Sequence, residues 1–184
     1  MHYRISKRSK EILLNVARTS IEDFLKYGKT KKFDFKEDDL LEIRAVFVTL
    51  WERDSGKLRG CIGNTNAVLS LVEEVSKNAI SSAVRDSRFS PLTKNEIKNI
   101  KIEINVLSPF KQILPNEIVI GKHGLYLLSK SHSSLFLPEV AISQGWNIID
   151  FLGELSLKAG LSKEEWKNSE TKLFGFESES WIEH

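Results

Sequence analysis

Cysteine is nearly absent from this chain: Cys61 is the only one in 184 residues. A disulfide framework is therefore excluded, and so is a zinc site built from several thiolates. Histidine is scarce as well. His2 and His184 lie at the ends, leaving His123 and His132 inside the chain, and no histidine–carboxylate pair has metal-ligand spacing. No metal and no cofactor are expected. Long apolar runs are also missing, since none approaches the ~18 residues of a membrane span. The opening stretch MHYRISKRSK has no apolar segment of the kind a secretory signal needs. A cytoplasmic protein without membrane attachment is expected.

What is present is the balance of a globular protein, with 41% hydrophobic and 28% charged residues. Nineteen lysines and seventeen isoleucines stand beside two glutamines, which leans toward a heat-adapted composition. The net charge is +2 but it is unevenly spread: residues 1–36 hold ten Lys/Arg and four Asp/Glu, and residues 163–184 hold three and six. A basic N-terminal segment suits phosphate or an acidic surface. The same lysines would also serve as the solvated face of an amphipathic helix.

Hydrophobic spacing places a helix over 9–27, stopped by Gly28, and then a polar loop to Asp39. Residues 43–51 (IRAVFVTLW) read as a central strand covered on both faces, turned by Asp54-Ser55-Gly56 into a second strand from Leu58. Ser70 and Glu73 are spaced as a capping box for a helix over 71–84, and Thr93 and Glu96 for a short one ending near Asn99. Residues 101–107 alternate as a strand with one wet face, carried by Lys101, Glu103 and Asn105. Short strands are expected at 118–120, 125–128, 135–137 and 173–176, and a helix over 147–159. Helices around hairpin-linked strands predict an α+β fold, with an antiparallel-dominated sheet and flanking helices. No linker divides the chain, so residues 1–184 read as one domain, either single-lobed or two-lobed with a cleft.

Chemistry concentrates in Leu58-Arg59-Gly60-Cys61-Ile62-Gly63. Two glycines bracket the cysteine, and glycine permits the close backbone approach with which exposed N–H groups cradle an anion. A nearby guanidinium such as Arg59 lowers a thiol pKa. The alternative is a buried cysteine acting as a small hydrophobe, with glycines marking where another backbone passes. A second cluster follows a helix: Arg85, Asp86, Arg88 and Phe89. Two guanidiniums beside an aromatic plane suit a phosphate or a stacked base. Equally, Asp86 would pair with an arginine and fix the connector. His123, in a Gly-Lys-His-Gly turn, is the most natural base for Cys61, although turn histidines are usually plain surface residues.

The segments RAVFVTL (44–50) and LRGCIG (58–63) resemble the signature of the AMMECR domain family. The likeness continues in order through residues 79–97, 103–110, 120–127, 135–146 and 151–161. The resemblance implies an α+β fold of two subdomains with a cleft, and an activity that is not established. It also implies association with a MEMO-like protein and a radical-SAM protein, and a role in nucleotide or RNA modification. Arg59, Gly60, Cys61 and Gly63 match the signature, and Asp86, Arg88, Phe89 and Pro91 match its D-x-R-F-x-P block. Ser156 stands where many relatives carry a cysteine, so redox pairing with Cys61 is not available here.

Two functions fit these residues. The first is a binding or adaptor module that holds a small anionic or nucleotide-like ligand, or RNA, near the RGCIG loop, with Arg59, Gly60, Gly63, Arg85, Asp86, Arg88 and Phe89 as contacts. The second is a Cys61-dependent enzyme acting on a nucleotide or RNA-related substrate, with His123 as its base.

Overall fold

A computed structural model describes residues 4–184. The elements in chain order are α1 (Lys7–Tyr27), α2 (Asp38–Leu41), β1 (Val46–Glu52), β2 (Leu58–Asn64), α3 (Leu71–Val84), β3 (Ile100–Leu107), β4 (Lys111–Gln112), β5 (Gly124–Ser129), β6 (His132–Phe136), α4 (Pro138–Ser143), α5 (Ile148–Lys158), β7 (Lys172–Phe176) and β8 (Ser178–Ile182). Short 3-10 turns occupy Glu96–Asn99, Pro115–Glu117 and Glu165–Lys167. The fold class is α+β, as the pattern predicts, but the strands form two four-stranded sheets, ordered β2-β1-β3-β8 and β4-β7-β5-β6. Antiparallel pairing joins β1 to both β2 and β3, so the 43–51 segment does supply a central strand.

The chain divides into two compact units, Met1–Leu107 with Glu179–His184, and Ser108–Ser178. In the first unit, α1 and α3 cover one face of the β2-β1-β3-β8 sheet. Its core joins Leu13, Val16 and Ile21 of α1, Val72, Val75 and Ala79 of α3, and Val46, Val48, Leu50, Ile102 and Ile104 of the strands. In the second unit, Phe151, Leu152 and Leu155 of α5 pack on Leu125 and Leu127 of β5. Each core follows from a helix burying one apolar stripe against alternate strand residues.

The local signals account for most of the boundaries. Gly28 ends α1 at φ 73°, where the left-handed region favours glycine. The Ser70 N–H donates to the Glu73 carboxylate at 3.2 Å, and the Thr93 N–H to Glu96 at 2.8 Å, the reach-back half of a capping box. Asn147 caps α5 by accepting from the Asp150 N–H at 3.0 Å.

Several expectations are corrected. Strand β1 starts at Val46, leaving Ile43 exposed, and it buries one face only: Val46, Val48 and Leu50 are buried while Phe47, Thr49 and Trp51 are half-buried. Residues 118–120 are not a strand, because Pro115 opens a 3-10 turn that Ile118 closes. Asn105 is buried, so the third strand is not evenly wet on its polar side. No helix among the described residues is long and apolar enough to cross a membrane.

Candidate functional site

The β1–β2 hairpin sets the position of Cys61. Leu58 pairs with Trp51 and Gly60 with Leu50, so Arg59 is an extra residue that makes a β-bulge. Beyond the bulge Cys61 lies opposite Thr49, and Thr49 lies opposite Glu103 of β3. Residues opposite one another share a sheet face. Cys61, Thr49 and Glu103 therefore form a row on the face that alternates away from the Val48 and Leu50 core. The Thr49 hydroxyl donates to Cys61 Sγ at 3.2 Å, and Trp51 Nε1–H donates to the Glu103 carboxylate at 2.7 Å. Phe47 and Trp51 flank Thr49 along β1 on that face.

The glycines have a steric cause. A Cβ on Gly60 would lie 2.2 Å from the backbone carbonyl oxygen of Ser82, so α3 packs directly on β2. A Cβ on Gly63 would lie 2.4 Å from the Phe47 ring. Neither glycine takes a positive φ among the described residues. The neighbouring amides are already satisfied by side chains. Cys61 N–H donates to Asp86 at 2.8 Å, and Ile62 N–H donates to Ser82 Oγ at 2.8 Å, which itself donates to the Val48 carbonyl at 2.7 Å.

Asp86 organises the connector after α3. Its buried carboxylate accepts from the Arg88 amide at 3.2 Å, from Arg88 Nε at 2.9 Å and from Nη2 at 2.7 Å. The Arg88 hydrogen bonds hold the Asp86 carboxyl well below the usual carboxylate range, against the upward push of burial and with help from the Cys61 amide. Arg88 reaches back to the Cys61 carbonyl at 3.4 Å and lies over the Phe89 ring, 5.5 Å from its centroid. Its side chain remains 57% exposed. Arg59 differs: its side chain is 11% exposed, with Nε and Nη2 each 3.0 Å from Glu96 and Nη1 donating to the Ser90 carbonyl at 2.9 Å. The 58–63 and 86–90 segments therefore meet.

Burial pushes the Cys61 thiol above its ordinary pKa, and Asp86 and Glu103 add to the rise. The Thr49 hydrogen bond and the charge of Arg88 oppose it without reversing it. A thiol pushed upward in this way favours its neutral form over the thiolate.

Arg85 is exposed at the end of α3 and lines a concavity with Lys29, Lys31 and Lys77. His123 belongs to the second unit, where its Nδ1 accepts from the Val119 N–H at 3.2 Å and so closes its own turn. Among the described residues no three His, Cys, Asp or Glu side chains gather in a metal-binding group. Sequence reasoning missed Thr49, Trp51, Ser82 and Glu103. Strand alternation was the signal for Glu103, but its relation to Cys61 depends on the hairpin register.

Comparison with known proteins adds a family. The AMMECR1 family model matches residues 14–181. A protein of Methanopyrus kandleri is 36% identical over 191 residues, covering 100% of this chain and 92% of that protein. A protein of Methanosarcina mazei is 40% identical over 172 residues, covering 88% and 85%. The crystal structure of an uncharacterized protein from Pyrococcus horikoshii, 36% identical, superposes with a TM-score of 0.86 over 98% of this chain and 94% of its own. This chain belongs to the AMMECR1 family.

Proposed function

We propose that the protein is a binding module that holds a small anionic, nucleotide-like ligand, or the equivalent unit of an RNA, at the face carrying Cys61. The observation that carries this reading is the Arg88 guanidinium, which Asp86 holds in one plane while more than half of the side chain stays open to solvent. A guanidinium fixed in this way has already lost the freedom that binding would otherwise remove. Its Nη1 protons have no protein acceptor among the described residues, and Phe89 adds an aromatic surface beneath it. Arg59 supports the site indirectly, by tying the bulge to Glu96 and Ser90. Cys61 contributes a neutral, half-buried thiol to the ligand face.

A second reading, a Cys61-dependent enzyme on a nucleotide or RNA-related substrate, is favoured by the Cys61–Thr49–Glu103 row. That row puts a hydroxyl and a carboxylate on the thiol's own face. Either reading is compatible with service to a MEMO-like and a radical-SAM partner in the cytoplasm, which affinity purification of the tagged chain tests.

The deciding experiment titrates wild type, Arg88→Ala and Cys61→Ser with a panel of nucleotides and short RNAs by calorimetry. The module predicts one class of binder, lost roughly tenfold or more in Arg88→Ala and retained in Cys61→Ser, with affinity falling as salt rises. A wild type that binds nothing on the panel refutes it. Turnover of a bound probe that disappears in Cys61→Ser establishes the enzyme instead.

A further inference from the structure

The basic N-terminal segment has no part in the Cys61 face, and the structure gives it a place of its own. After Gly28 reverses the chain at the end of α1, residues 29–33 run beside the outer side of α3. There they close a concavity of about 460 Å³. Lys29, Lys31 and Lys32 from the loop, with Lys77 and Arg85 from α3, put five cations around it against one carboxylate, Glu73. Phe24, Phe33, Val72 and Ile80 give it apolar walls.

The positive charge lining this concavity is opposed there by Glu73 alone, whereas some cations elsewhere are offset by ion pairs. Arg8, Lys10, Arg18, Arg59, Arg88, Lys122, Lys163 and Lys167 each have a carboxylate within ion-pair distance. Among the described residues, none of the five cations lining this concavity makes an ion pair. Like charges gathered around a low-dielectric wall repel one another and focus a positive potential, so the site favours a multiply charged anion. The half-buried Phe33 ring adds a flat apolar surface, with Lys31 Nζ 5.5 Å from its centroid. A volume of this size lies in the range of small-molecule pockets.

We propose that this concavity is a second binding site, for a nucleoside polyphosphate: phosphates on the lysines and Arg85, and the base against Phe33. It shares no lining residue with Cys61, Thr49, Asp86 or Arg88, so it stands or falls apart from the reading of that face. The apolar walls argue against bare polyphosphate, and the five cations argue against a neutral ligand. The same chemistry is offered by a free nucleotide and by the 5′-triphosphate end of an RNA.

The test titrates the full chain by calorimetry with ATP, tripolyphosphate, adenosine and a 5′-triphosphorylated oligoribonucleotide. ATP is expected to bind more tightly than tripolyphosphate, and adenosine least. Lys32→Glu with Lys77→Glu is expected to weaken ATP roughly tenfold or more, at an unchanged melting temperature because both side chains are exposed. Phe33→Ala is expected to lower affinity for ATP and not for tripolyphosphate. Tighter binding of the oligonucleotide than of ATP identifies an RNA end as the source, and the reverse identifies the free nucleotide. No binding of ATP or the oligonucleotide at millimolar concentration overturns the proposal. So does equal affinity for ATP and adenosine. Loss of ATP binding in Arg88→Ala, with the lysine pair inert, moves the ligand to the Cys61 face and overturns this site alone.

Discussion

Replacing Gly60 by alanine tests whether β2 and α3 are held at the separation the structure shows. The new methyl group would stand 2.2 Å from the Ser82 carbonyl oxygen and 3.1 Å from its carbon, both of them backbone atoms that no rotamer change can move aside. The helix must retreat. Overpacking of this kind costs about 1–3 kcal/mol. Retreat also breaks the Ser82 bridge, in which the hydroxyl accepts from Ile62 N–H at 2.8 Å and donates to the Val48 carbonyl at 2.7 Å. Two buried hydrogen bonds at about 1 kcal/mol each bring the total to about 3–5 kcal/mol. For a chain of this length each kcal/mol moves the melting temperature by about 2–4 °C, so a fall of roughly 10 °C is expected. Thermal and urea unfolding followed by circular dichroism and by tryptophan emission, to which Trp51 and Trp181 contribute from this unit, would measure it. Gly56→Ala is the control. Gly56 has φ +66° and nothing within 4 Å of a new Cβ, so its cost is confined to backbone strain of about 1 kcal/mol. A Gly60→Ala protein that melts within the error of the control would show that the close approach is not what glycine serves here.

Two further outcomes follow from the groups around Cys61. The Asp86 carboxyl is depressed in the folded state, chiefly by Arg88, so its stabilisation is complete above the unfolded carboxylate pKa of about 4 and is lost as pH falls below it. Asp86→Asn should therefore lower stability at pH 7 by about 2–4 kcal/mol, and the gap to wild type should narrow between about pH 4 and pH 2; a gap independent of pH refutes the ionic origin. The raised Cys61 thiol predicts slow alkylation at pH 7, faster labelling as pH rises above 9, and rapid labelling after unfolding. Fast labelling of the folded protein at neutral pH would instead show an activated thiolate.

Where the fold was legible, a short-range cause was written in adjacent residues. Gly28 after an amphipathic run, Ser70 three before Glu73, and Asn147 before α5 each satisfy orphaned helix-end groups, and each helix boundary falls beside them. Where it was not, the cause lay elsewhere in the chain. The two-residue strand β4 exists because Lys111 and Gln112 pair with Gly175 and Phe174, some sixty positions away. Strand β8 is a polar stretch, SESWI, taken up as the fourth strand of the first sheet, which its own sequence does not demand. Helix α4 also has a local cause, Pro138 at its first position, where the fixed φ of proline suits the first turn of a helix.

The site turns on a single residue of register. Without the bulge, the pairing of Leu58 with Trp51 would continue as Cys61 opposite Val48, and the thiol would point into the core with Val48, which has 0% exposure. The one extra residue, Arg59, shifts the parity so that Cys61 faces Thr49 and the polar row instead. The residue that makes the bulge also secures it, because its guanidinium is carried to Glu96 and Ser90. That is why Arg59 and Arg88, alike in the sequence, part company in the structure. The first spends its donors holding a register, while the second, set by Asp86 at the strand edge, keeps more than half of its side chain exposed. Arginine count and spacing carry no trace of this difference. It follows from which carboxylate each side chain meets, and that is decided by pairing between strands.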